Sequence, residues 1–250
     1  ASAQIDHWES VVLPGDQWDY LVPSSQPSSS WNQLGYNSSS WSTGNSGFGY
    51  GDGDDATIVS NTISIYIRKT FSITNLSDIE AIILDLDYDD GFVAYLNGQE
   101  VARNLISGSI PNFNQTSDGY HEALLPQGYA PERFGIDVNL LNPGTNVLAV
   151  QVHNQSFDSS DLSALPVFSV GINNTSSNYE TPPSWFEVPY IPAEVNFESS
   201  NLPIVVIDTF EGQEIPNDPK IDATMKIIFR ENQQRNFLTD VSDPNALDYD

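Results

Sequence analysis

The chain has no cysteine, only eight lysines and arginines, one methionine, and no apolar run near the roughly 20 residues that a membrane-spanning helix needs. Without cysteine there are no disulfides, zinc–thiolate centres or cysteine nucleophiles, and the redox compartment is unreadable. The few basic residues stand against 34 acidic ones, a formal charge of −26 over 250 residues. Such a field repels phosphate backbones and anionic lipid heads, so nucleic-acid partners and direct membrane insertion are disfavoured; cations and neutral ligands are favoured. Helix signals are scarce as well, with no amphipathic stretch of about ten residues before residue 175.

What is present is aromatic, acidic and turn-forming. Aromatics at 11% and hydrophobics at 39% can fill a core. Trp8, Trp18, Trp31 and Trp41 are separated by Ser/Gly/Pro/Asn clusters. Large rings give short strands and loops their buried area, and a ring left in contact with solvent stacks on sugars. Trp41 is the candidate for the second role.

Short alternating runs recur between turn signals. Residues 62–73 place Ile63, Ile65 and Ile67 on one face and Tyr66 and Arg68 on the other. Residues 82–101, IILDLDYDDGFVAYLNGQEV, read as two strands around an acidic Asp89-Asp90-Gly91 turn, closing on Asn97-Gly98. Asn-Gly is the pair that best tolerates the positive φ of a tight hairpin. Asp89 or Asp90 is expected to bond local backbone N–H groups, and Arg68 or Lys69 to pair with Asp85 or Asp87. Further strands are expected over 132–137, 145–153 and 164–172, with a turn or one helical turn over 138–144 between the first two. Strands at this spacing argue for an all-β sandwich or jelly roll.

Two stretches carry candidate chemistry. The loop GFGYGDGDDAT, residues 47–57, gathers Asp52, Asp54 and Asp55, hard oxygen ligands that suit Ca²⁺ better than Mg²⁺ or zinc. It is not an EF-hand, since no Glu follows at the required position. The turn-rich loop 107–127 is the expected ligand-facing surface, with Tyr120, His121 and, just beyond it, Tyr129 as ligand-binding candidates. No Gly-x-Ser-x-Gly elbow, His-Glu-x-x-His motif or Walker loop occurs, and the three histidines lie in different elements, so catalysis is not expected within these residues.

Composition divides the chain into a sandwich over 4–175, a linker over 176–200 that is Pro-rich in its second part, and a partial second β unit over 201–250. Ala1-Ser2-Ala3 is similar to the end of a secretory signal, pointing to export from a bacterial cell.

The series SSSW, GFGYGDGDD, YIRKTF, DYDDGFVAYLNGQEVAR and PGTNVLAVQVHN resembles the galactose-binding-like jelly roll, of the kind found as the sugar-binding domain of family 2 glycoside hydrolases. The resemblance implies a non-catalytic module, with structural Ca²⁺ in many members, that binds glycans or docks against other surface proteins. Residues 199–250 resemble the β-rich opening that precedes a spore-coat CotH-like kinase domain, with none of the kinase motifs present.

Overall fold

The computed structural model describes residues 5–51, 53, 55–189, 198–209, 223–230, 235–242 and 247–249. Two compact units are present, the first ending at Pro189.

The first unit is a sandwich of two six-stranded sheets. Its strands are β1 (His7–Val12), β2 (Gln17–Leu21), β3 (Ser42–Asn45), β4 (Phe48–Tyr50), β5 (Thr57–Ile58), β6 (Ser64–Ile73), β7 (Ile79–Asp89), β8 (Gly91–Leu96), β9 (Gln99–Asn104), β10 (Glu132–Ile136), β11 (Gly144–His153) and β12 (Leu162–Ile172). One sheet runs β10-β7-β12-β4-β5, with β1 also paired to β12; the other runs β3-β2-β6-β11-β8-β9. All pairs are antiparallel except β4 with β5. The chain crosses between sheets after β1, β3, β5, β6, β7, β9, β10 and β11, as in a jelly roll. The expected all-β sandwich is therefore present.

Period-two alternation decides which side chains meet. Ile65, Ile67, Phe71 and Ile73 of β6 face Leu148, Val150 and Val152 of β11 and Phe92, Ala94 and Leu96 of β8 within the shared core. From the opposite sheet come Ile82, Leu84, Leu86 and Tyr88 of β7 and Phe168, Val170 and Ile172 of β12.

The acidic corner is a different device from the expected hairpin turn. Strand β7 belongs to one sheet and β8 to the other, so Asp89-Asp90-Gly91 carries the chain across the sandwich. Asp90 does bond backbone N–H groups, but distant ones: Oδ1 accepts from His121 at 3.0 Å and Oδ2 from Gln155 at 2.8 Å. The Asn97-Gly98 hairpin is as expected, with φ of 53° and 87°. Asn97 also accepts the Val147 N–H at 3.0 Å and donates to Leu140 O and Asn146 Oδ1, tying the turn to the start of β11.

The glycine-rich loop holds β4, and Gly49 is there because the strands nearly touch. A Cβ at Gly49 would lie 1.8 Å from Leu162 O and 2.5 Å from Asp55 Oδ1.

Arg68 and Lys69 pair elsewhere than with Asp85 or Asp87. Arg68 points outward from one sheet, Asp85 and Asp87 from the other, so the sandwich separates them. Arg68 approaches Asp19 at 3.8 Å, Lys69 approaches Asp16 at 3.5 Å, and Asp85 pairs with Arg133.

Residues 177–187, linker-like in composition, pack on the first unit. Glu9, 4% exposed, accepts hydrogen bonds from the Ser177 hydroxyl and from the N–H groups of Asn178 and Tyr179. Glu180 pairs with Ser10, and Phe186 lies 5.8 Å from Trp8 and 4.5 Å from the Arg133 guanidinium.

The second unit contains β13 (Ser199–Ser200), β14 (Ile204–Asp208), β15 (Thr224–Ile228), β16 (Asn236–Phe237) and β17 (Leu247–Tyr249). Strand β15 is central to β14 and β17, and β13 pairs with β16. Buried Asn236 joins the pieces, accepting from Arg230 N and donating to Leu202 O.

Candidate functional site

With even-numbered positions of β7 committed to the core, Asp85, Asp87 and Asp89 form a row on its outer face. All three are buried, between 1% and 4% exposed. Buried carboxylates need partners, and each of the three is met differently. Asp85 accepts from Arg133 Nε at 2.7 Å and Nη2 at 3.1 Å, one edge of the guanidinium; burial pushes its carboxyl up, and Arg133 opposes that push. Asp87 accepts the N–H groups of Leu124 and Leu125 at 2.6 and 3.1 Å, fixing loop 121–127 over the sheet.

Asp89 ends the row in a cleft of about 200 Å³ lined by Glu122, Ala123, Pro126, Gln127 and Asp161. One oxygen each from Asp89, Glu122 and Asp161 lies within 4.8 Å of the others. These residues come from the end of β7, the loop before β10, and the turn before β12. An adjoining cleft of about 240 Å³ is lined by Asp55, Asp87, Leu125, Pro126 and Ser163.

The loop that supplies Glu122 also presents two rings to solvent: Tyr120 is 78% and Tyr129 65% exposed. His121 lies between them in sequence but is engaged in the fold. Its ring stacks on Tyr88 with centroids 4.0 Å apart, Nδ1 is 3.0 Å from Tyr88 O, and Nε2 is 3.2 Å from Glu132. The Tyr88 hydroxyl donates to Glu132 at 2.7 Å and accepts from Asn104, and burial pushes its pKa up. His121 thus positions the loop.

Trp41 is elsewhere and 9% exposed, packed against Tyr36 and Trp31 on the outer face of the other sheet. It offers little area for stacking. Asp52 and Asp54 lie outside the described residues. Asp55 lines the cleft beside Asp87 and is not part of the Asp89 group. The row on β7 was visible in the sequence as LDLDYD, an alternation with acids at every second position. Its convergence with Glu122 and Asp161 was not, because those residues are far apart in the chain.

The outer face of the second sheet is built from other chemistry. Ala149 leaves room above β11 for Trp31, whose ring meets Tyr66 at 4.9 Å and Tyr95 at 5.6 Å, both edge-on. Arg68, 4% exposed, holds the covering loop by donating to Trp31 O, Gln33 O and Ser38 Oγ at 2.8–3.1 Å. Beside Trp31 is a cleft of about 290 Å³.

No protein-family model and no curated protein matches the chain. Among solved structures, it is similar to a β-glucuronidase of an uncultured Clostridium (15% identity, 95% of this chain and 45% of that one, TM-score 0.43). It is also similar to the Bifidobacterium dentium β-glucuronidase complexed with coumarin-3-O-glucuronide (13%, 88% and 35%, TM-score 0.41). A third is a calcium-binding mutant of Bacteroides uniformis β-glucuronidase 2 (14%, 88% and 22%, TM-score 0.40). The chain spans less than half the length of each. The sandwich rests on the strand order and shared core described above, and these likenesses add no argument to it.

Proposed function

We propose that the first unit is a non-catalytic carbohydrate-binding module of a secreted or cell-surface protein, taking its ligand at the acidic end and holding Ca²⁺ between Asp89, Glu122 and Asp161. The observation that carries the reading is the convergence of three carboxylate oxygens within 4.8 Å at a cleft beside exposed Tyr120 and Tyr129. Carboxylates this close repel one another, and a cation among them relieves that repulsion. Ca²⁺ takes oxygens at about 2.3–2.6 Å, so ligands around one ion lie within about twice that distance of each other. Sugar hydroxyls complete such a coordination shell or donate to its carboxylates, and an exposed tyrosine ring gives a pyranose an apolar face.

Docking against other surface proteins is the alternative for the same exposed rings. Residues 199–250 are proposed as the opening of a CotH-like region, any kinase chemistry belonging to sequence beyond Asp250.

Calcium and carbohydrate are tested separately. EDTA should lower the melting temperature and added Ca²⁺ restore it, and Asp89→Asn should remove that response. An unchanged melt refutes the metal. A response that survives Asp89→Asn but is lost in Asp52→Asn/Asp54→Asn moves the ion to the glycine-rich loop. On a glycan array, Tyr120→Ala should lose retention while keeping its melting temperature; retention equal to the parent chain places the ligand elsewhere.

A further inference from the structure

The cleft beside Trp31 has a composition that stands out in so acidic a chain: no charged side chain lines it. Its polar side chains are the amides of Gln26, Asn32, Gln33 and Gln151 and the hydroxyls of Ser29, Ser109 and Tyr95, beside the largely buried rings of Trp31 and Tyr95. A side-chain amide offers a donor and an acceptor together, the pairing that a sugar hydroxyl requires.

Several of these groups are held in place. Gln151, 2% exposed, donates to the Tyr95 hydroxyl at 3.0 Å, leaving the tyrosine O–H to donate outward. Gln26 Oε1 accepts the Phe113 N–H at 2.7 Å, which orients its amide. Asn32 is 9% exposed, and neither its amide nor that of Gln33 makes a hydrogen bond to the protein among the described residues. The loop bearing both is fixed from beneath by Arg68 through Trp31 O and Gln33 O. The loop backbone is thereby fixed, and the amides of Asn32 and the exposed Gln33 keep their hydrogen-bonding capacity for a ligand.

We infer that this cleft is a second saccharide site, separate from the acidic end, for an uncharged sugar. At about 290 Å³ it is at the lower end of small-molecule sites and has room for a single pyranose ring. The absence of cations sets the class. A uronate or sulfated sugar would bury an anion with nothing to pair it. Nearby Arg103 is occupied, bidentate to Glu100 at 2.6 and 2.7 Å and bonded to the carbonyls of Ile106 and Gly108.

The test is titration of the full chain in EDTA with the methyl β-glycosides of glucose, galactose, mannose and xylose and with methyl β-glucuronide, read by tryptophan fluorescence and by saturation-transfer NMR. At least one neutral glycoside should bind in the millimolar range, with the glucuronide weaker by about ten-fold or more. Asn32→Ala/Gln33→Ala should weaken the neutral sugar about five-fold or more at an unchanged melting temperature. The inference is overturned if no neutral glycoside binds, if the glucuronide binds equally well, or if the double variant binds like the parent. Binding that appears only with Ca²⁺ assigns the sugar to the acidic end and equally overturns a second site.

Discussion

The two outer faces of the sandwich are covered by opposite strategies. On one, three aspartates stand in a row along β7: Asp85 is met by an arginine, Asp87 by two backbone N–H groups, and Asp89 converges with Glu122 and Asp161. On the other, Tyr66, Tyr95 and Ala149 receive the Trp31 indole, and one buried arginine holds the covering loop by its carbonyls. The first face carries a row of buried carboxylates; the second is built of aromatic rings over one buried arginine, with its other charges paired, as Arg103 is with Glu100. Burial alone therefore does not make a face apolar; what matters is whether each polar group finds a partner. The difference also sorts candidate ligands, a cation and its sugar on one side and a neutral sugar on the other.

Removing a partner on the charged face should do the most damage. Arg133→Met leaves Asp85, 1% exposed, without its cation and should cost about 3–5 kcal/mol in urea denaturation, whereas Asp85→Leu/Arg133→Met should regain most of it. Equal losses in both variants would mean the pair contributes only packing. On the aromatic face, Arg68→Met strands two carbonyls and a hydroxyl and should cost about 2–3 kcal/mol, together with a change in tryptophan emission as Trp31 loosens. A destabilised variant with parental emission would show that the loop stays seated without its arginine.

Acid should separate the faces with smaller effects. His153, beneath the aromatic cover, has its pKa lowered by burial to about 4, with the bond to Gln115 O opposing. The unfolded chain, near 6.5, takes up a proton first, so this contribution is present above pH 6.5 and fades as pH falls to about 4. Glu9 acts lower. Burial raises its pKa, but the hydrogen bonds from Ser177, Asn178, Tyr179 and His7 outweigh burial and leave it below the ordinary carboxylate value. Its hold on residues 177–179 is full above that value and is lost as pH falls through the lowered one. Tryptophan emission should therefore shift before protease sites open at 177–187; the reverse order would break the assignment of the two groups to the two faces.

Much of the framework was legible in the residues. Alternation in β6, β7, β8 and β11 set their inward faces, and Asn97-Gly98 marked a hairpin that the backbone angles bear out. Tyr120 and Tyr129 are exposed, and their ligand role is the proposal that the glycan array tests. Arg68 was misassigned because alternation tells which side of a strand a residue occupies but not which sheet the strand joins. His121 was legible as polar and its engagement with Tyr88 was not, since stacking depends on how the loop returns over β7.

The amino-acid sequence by itself determined local periodicity, turn chemistry, the negative field, and the absence of cysteine chemistry, because each depends on neighbours in the chain or on totals. Only the tertiary structure decided that the acidic corner spans two sheets, that Asp89 meets Glu122 and Asp161, and that amides from loop and strand meet at an uncharged cleft. Those are meetings between residues tens of positions apart, set by the packing of one sheet on the other, and no local pattern encodes them.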